Sequence, residues 1–79
     1  MKKAIQQMQA MQNRLAQLKV STSINTTFGD FGQAVTMYVH DDEHIVATVN
    51  WRSYDPERWG ADWEEFELKI KERFLGWWE

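Results

Sequence analysis

Residues 20–52 read VSTSINTTF (20–28), GDFG (29–32), QAVTMYVH (33–40), DDE (41–43) and HIVATVNWR (44–52). Apolar and polar side chains alternate with a period of two through the three longer runs, the repeat of a strand with one buried face. In the first run Val20, Thr22, Ile24, Thr26 and Phe28 share one face, with Ser21, Ser23, Asn25 and Thr27 on the other. The second run turns Val35, Met37 and Val39 inward and Thr36, Tyr38 and His40 outward. The third turns Ile45, Ala47, Val49 and Trp51 inward, leaving Val46, Thr48, Asn50 and Arg52 outside. Keeping the apolar sets together predicts Met37 opposite Ala47, Val39 opposite Ile45 and His40 opposite His44. It also predicts Phe28 opposite Val35, with Phe31-Gly32 at the tip of the first hairpin. The expectation is a three-stranded antiparallel meander with strands at about 20–28, 33–40 and 44–52.

The period changes on both sides of this block. Met1, Ala4, Met8, Met11, Leu15 and Leu18, with Ile5 beside them, recur at helical spacing and predict a helix over about 2–19. Downstream, Asp55-Pro56 has the form of an N-cap followed by proline at the first helical position, which predicts a helical turn at 56–59. Gly60 then reads as an interruption, Asp62 with Glu65 as a capping box, and 61–77 as the main second helix. Trp59, Trp63, Phe66, Ile70, Phe74 and Trp77 fall in one sector of that helix. Glu65 with Lys69 and Glu67 with Lys71 are favourable i,i+4 pairs. The fold expected over the single domain 1–79 is α+β, a two-layer sandwich in αβββα order. Both helices lie on the one apolar sheet face, and the other face meets water. The expected core includes Ile5, Met8, Leu15, Ile24, Met37, Val49, Trp63, Phe66, Ile70 and Phe74.

A chain of 79 residues buries only about 60% of its unfolded surface. With no cysteine, neither a disulfide framework nor a thiolate metal site can help it. Five Trp, four Phe and two Tyr supply the compensating apolar volume. Gln and Arg interrupt the first twenty residues, so no signal-peptide core and no membrane span is expected, and the chain reads as soluble and cytoplasmic. The formal net charge of −3 is unevenly spread: Lys2, Lys3, Arg14 and Lys19 stand in a first segment without acids, and the remainder is acidic. That distribution argues against a nucleic-acid face on the later two-thirds and leaves a weak phosphate footprint on the first helix.

Chemistry finds little footing in these residues. Ser21, Ser23 and Ser53 have no nucleophile motif around them, Asp30-Phe31-Gly32 is a turn in a chain too short for a kinase lobe, and no glycine-rich phosphate loop occurs. The expectation is a non-enzymatic protein with no cofactor. His40-Asp41-Asp42-Glu43-His44 is the cluster with metal-ligand residue types. In the register above its imidazoles would leave the same face with Cβ atoms about 5 Å apart. Without second-shell support the expected reading is a solvated hairpin tip and no metal.

What remains is surface. Leu68 and Leu75 lie off the core sector of the final helix, Trp78 lies between them and that sector, and Glu64 and Lys71 border them. An apolar strip with a charged margin has the layout of an interface centre and rim. Tyr38 and Arg52, on the open sheet face, are the other candidates. The expected function is a protein-binding module that acts by occupying a partner's surface. The alternatives are a homodimeric structural or regulatory protein joined through its helices, and a weak nucleic-acid binder through the first helix.

The element order αβββα is also that of the double-stranded-RNA-binding domain. Where that family carries lysines at the start of its second helix, this chain has Asp62, Glu64, Glu65 and Glu67, so the resemblance ends at element order. In that order, and in grouping Glu64, Glu65 and Glu67, the chain is similar to short anti-CRISPR inhibitors of Cas nucleases, phage accessory proteins of which one carries an acidic stretch that mimics DNA. The similarity rests on order and acidity and on no shared motif. It implies a phage or mobile-element accessory role, with a host nuclease as the partner.

Overall fold

Lys2–Gln17 form helix α1, and Ser21–Gly29, Gly32–Asp41 and His44–Arg52 form strands β1, β2 and β3. A 3-10 turn at Pro56–Arg58 leads into helix α2, Trp59–Arg73. The computed structural model describes residues 2–74. The strands make one antiparallel sheet in the order β1-β2-β3, so the architecture is the α+β sandwich in αβββα order that the periodicities predict.

One face of the sheet is apolar and both helices cover it. Ala4, Met8, Met11 and Leu15 of α1 and Trp63, Phe66 and Ile70 of α2 join Val35, Met37, Val39, Ala47, Val49 and Trp51 in one buried cluster. Ile5, Val20, Ile24, Trp59 and Phe74 pack on its margin. Trp59, Trp63 and Phe66 form a chain of rings with centroids 5.2 Å apart at each step. Trp59 also donates from Nε1 to Gln7 Oε1 at 2.7 Å, which ties α2 to the flank of α1. No charged side chain is buried among the described residues. The core is held by apolar area at roughly 25 cal/mol per Å².

Up to Val39 and Ala47 the parity is as expected, but the register differs by two residues. Met37 pairs with Val49, Val39 with Ala47 and Val35 with Trp51. In the first hairpin Thr26 pairs with Val35 and Phe28 with Gln33, so Gly29 and Gly32 flank a two-residue loop, Asp30-Phe31. A shift of two preserves which face each residue occupies and moves only its neighbour, so the alternation could not detect it. The first hairpin closes on Asp30-Phe31 in place of the expected Phe31-Gly32, and in the second the bulge between Val39 and His40 closes the loop on Asp42-Glu43.

The third strand departs from simple alternation at a bulge. Val39 pairs with Ala47 and His40 with Ile45, so Val46 is an extra residue on β3. Ile45, expected in the core, is paired with the outward-facing His40 and is 56% exposed. Val46, expected outside, packs against the core cluster.

The helix ends also depart from expectation. α1 stops at Gln17 in a Schellman arrangement: Lys19 N–H reaches Ala16 O and Val20 N–H reaches Leu15 O, each at 3.0 Å, with Lys19 at φ 61°. Leu18, read as part of the apolar stripe, is therefore past the helix and 43% exposed. α2 begins at Trp59 and takes in Gly60, and neither Asp55 nor Arg58 makes a side-chain cap. The Asp62–Glu65 capping box does not mark the helix start, because Asp62 already lies in its first turn. At the other end Phe74 leaves the helical region (φ −116°, ψ 61°) after its N–H bonds Ile70 O. The described helix thus ends at Arg73, whose guanidinium is held by Asp41, and the last part of the expected span, with Trp77, lies outside the described residues.

Phe66 is 1% exposed and touches the centre of the core. Phe66→Ala should cost about 3–5 kcal/mol, most of the margin of a domain this small. Urea denaturation should show a lowered midpoint or, at the upper end, no cooperative transition.

Candidate interaction surfaces

The end of the sheet formed by the first hairpin carries exposed aromatic rings. Phe28 is 80% exposed, Phe31 85% and Tyr54 56%, in a domain whose Trp51, Trp63 and Phe66 are buried. Phe31 occupies the two-residue loop between β1 and β2. Tyr54 follows β3 at the same end of the sheet, and the two rings lie 6.2 Å apart at an interplanar angle of 57°, a tilted arrangement favoured by their quadrupoles.

A backbone clip brings Tyr54 there. Ser53 N–H donates to Gln33 O at 2.9 Å, and Gln33 N–H donates to Ser53 Oγ at 2.9 Å. Gly32 makes room for it. A Cβ at position 32 would stand 2.3 Å from Ser53 Oγ and 3.8 Å from Tyr54 Cδ1, and the backbone there has φ 134°, which L side chains rarely adopt. The aromatic pair is thus displayed on ordered backbone, which lowers the entropy lost when a partner docks. Asp30 and Asp55, the chain neighbours of Phe31 and Tyr54, supply a charged margin.

The sequence reading did not single out these rings. It placed Phe28 opposite Val35, over the core, whereas the observed register sets it opposite Gln33 at the end of the sheet. Phe31, expected in a turn, has no apolar surface of its own strand to pack against. A phenylalanine between Asp30 and Gly32 in a tight hairpin is itself the signal, because a loop tip has no interior to enter.

The surface residues expected from the sequence to form a contact are dispersed. On α2, Leu68 is 56% exposed, and Glu64 and Glu65 are exposed while Glu67 is half-buried. Glu65 is paired with Lys69 at 3.6 Å. Leu75 and Trp78 lie outside the described residues. On the open sheet face Tyr38 is half-buried, its ring 6.4 Å from that of His40, and His40 Nε2 shares a 3.2 Å hydrogen bond with Ser23 Oγ. Tyr38 pairs with Thr48, so Arg52 stands four residues further along the neighbouring strand, about 13 Å away. The two therefore do not converge. Arg52 instead borders an open groove of about 260 Å³ between β3 and α2, lined also by Asn50, Asp55, Arg58, Asp62 and Lys69.

His40 and His44 are not brought together. The bulge pairs His40 with Ile45 and His44 with Asp41, so strand alternation turns the imidazoles to opposite faces. Asp41 is engaged elsewhere: Arg73 donates to its Oδ2 from Nε at 2.8 Å and again from Nη2. Among the described residues no three His, Asp or Glu side chains are grouped to hold a metal ion, and no helix is long and apolar enough to cross a membrane. Comparison with protein-family models, with curated proteins and with solved structures gives no match.

Two outcomes follow. Gly32→Ala should destabilise the fold by about 1–3 kcal/mol through forced φ and the clash at Ser53, read as a lower melting temperature. Zn²⁺ or Ni²⁺ at micromolar concentration should leave the melting temperature unchanged, because a ligand stabilises only what it binds. A rise abolished by His40→Ala would contradict the second.

Proposed function

We propose that this chain is a non-enzymatic protein-binding module that acts by occupying a partner's surface, with Phe31 and Tyr54 as its anchors. The observation that carries the reading is their exposure on a clipped, ordered hairpin end. Aromatic rings without cover are costly to leave in water and are over-represented among residues that dominate interface energies. Two rings with a polar margin at Asp30 and Asp55 suit a shallow apolar pocket on another protein.

The phage-inhibitor form of this reading, with acids imitating nucleic acid, has less support. It requires Glu64, Glu65 and Glu67 to present a row of free charge, but Glu65 is paired with Lys69 and Glu67 is half-buried. The outer face of α2 is a second contact candidate through Leu68, which is exposed beside Glu64.

The test is affinity capture from the source cell with the wild type and two variants, Phe31→Asp and Leu68→Glu, each checked by circular dichroism. Removing an anchor ring typically costs 2 kcal/mol or more, about thirtyfold in affinity. Phe31→Asp should therefore abolish retention of the captured protein, and Leu68→Glu should not. The reverse result would move the contact to α2. Retention by both variants would overturn the reading.

A further inference from the structure

We propose that β1 pairs antiparallel with β1 of a second copy of this chain, about a twofold axis at Asn25, to make one continuous sheet across a homodimer. This goes beyond the partner site at Phe31 and Tyr54 and does not depend on it. The starting observation is the outer edge of β1. Among the described residues nothing pairs with it, since the sheet ends there.

Natural sheets blunt such edges with charge, proline, bulges or short strands. β3, the other edge, carries a bulge at Val46, ends on Arg52 and lies against α2. β1 lies under α1 but has no bulge and no charge. Its nine residues, STSINTTFG, include no charge and no proline, and its register with β2 is unbroken from Ser21 to Gly29.

The backbone fixes what this edge can do. Gly29 and Gly32 flank a two-residue loop and so form a hydrogen-bonded pair, and bonded and non-bonded pairs alternate from there. Odd-numbered residues of β1 therefore direct their N–H and C=O groups to β2. Thr22, Ile24, Thr26 and Phe28 direct theirs outward. Two such edges match when Thr22 of one copy meets Phe28 of the other and Ile24 meets Thr26. That register places Asn25 opposite Asn25, uses the full strand and completes about eight inter-chain hydrogen bonds.

The side chains agree with that register. Phe28, on the helix side and 80% exposed, comes over Thr22 of the second copy. That is the end of the strand where Val20 is half-buried and Leu18 is 43% exposed. An uncharged strand pairs with itself without like-charge repulsion. The neighbouring helix is also compatible. Gln7 faces α2 through Trp59, and Lys3 and Arg14, four and seven residues away, share that flank. The flank of α1 on the β1 side carries Ile5, Gln9, Gln12 and Ala16, with Lys2 at the head of the same stripe in the first helical position. Lys3 and Arg14 are thus kept off that flank.

The absence of native cysteine makes the register directly testable. Cα atoms of a non-hydrogen-bonded antiparallel pair lie about 4.5 Å apart, within disulfide range. Asn25→Cys should give a covalent dimer rapidly under mild oxidant, and Thr27→Cys, offset by four residues from its copy, should not. Equal behaviour of the two variants, or crosslinking at 27 alone, would overturn the proposal. In sedimentation at about 100 μM, wild type should show twice the chain mass. Thr26→Pro, tolerated at an edge but unable to donate, should show the single mass with unchanged circular dichroism. A single mass for wild type, or a dimer retained in folded Thr26→Pro, would equally refute it. Should that variant fail to fold, Thr26→Lys carries the same expectation.

Discussion

A three-stranded sheet with one apolar face must have that face covered, and every other feature of this protein follows from how it is done. Val35, Met37 and Val39 on the central strand are each fully buried. They are buried because α1 and α2 both lie over them, meeting at Gln7 and Trp59. No disulfide shares the task. The rings of Trp59, Trp63 and Phe66 therefore supply, in one continuous stack, area that a longer chain would spread over more residues.

Two helices cover the middle of a sheet better than its ends and edges. The inner face is closed from Val35 to Val39, while Phe28 and Phe31 at one end remain open to water. The same economy leaves the outer edge of β1 unpaired. Exposed apolar area and unpaired backbone would destabilise a domain in isolation, and natural folds remove both where they have no use. β3 shows that this chain can remove them, since its bulge tucks Val46 inward and re-aims the strand. The contrast within one sheet is what gives the bare edge of β1 its weight.

The alternation of residues 20–52 made face assignment legible because burial selects side chains with period two. Met37, Val49 and Phe66 are where that pattern puts them. Register was not legible, since a slip of two residues leaves every face unchanged and Phe31-Gly32 would close a two-residue loop as well as Asp30-Phe31 does. The bulge at Val46 was hidden for a related reason: Ile45 and Val46 are both apolar and β-branched, so composition could not say which one turns inward. The end of α1 was hidden because Lys19, and not glycine, takes the left-handed position. Of the surface residues, Leu68 was visible as an off-sector leucine on a helical wheel. Phe31 and Tyr54 were not grouped, since the clip between Gln33 and Ser53 joins positions twenty residues apart.

The two surfaces bear on each other through geometry. An antiparallel pairing of β1 with its copy sets the strands end to opposite end. The two hairpin tips then lie at opposite extremes of the shared edge, separated by about 30 Å for a nine-residue strand. Each Phe31 and Tyr54 pair would point away from the axis, so neither tip blocks the other. Such a dimer holds two equivalent partner sites facing outward, an arrangement that bridges two partner molecules and cannot place both tips on one flat patch. Avidity then depends on the partner's own spacing: a partner repeated at about that distance gains the effective concentration of the second site, and a monomeric partner does not. In that arrangement the edge of β1 would set the valency of the protein, and the hairpin tip would set what it holds.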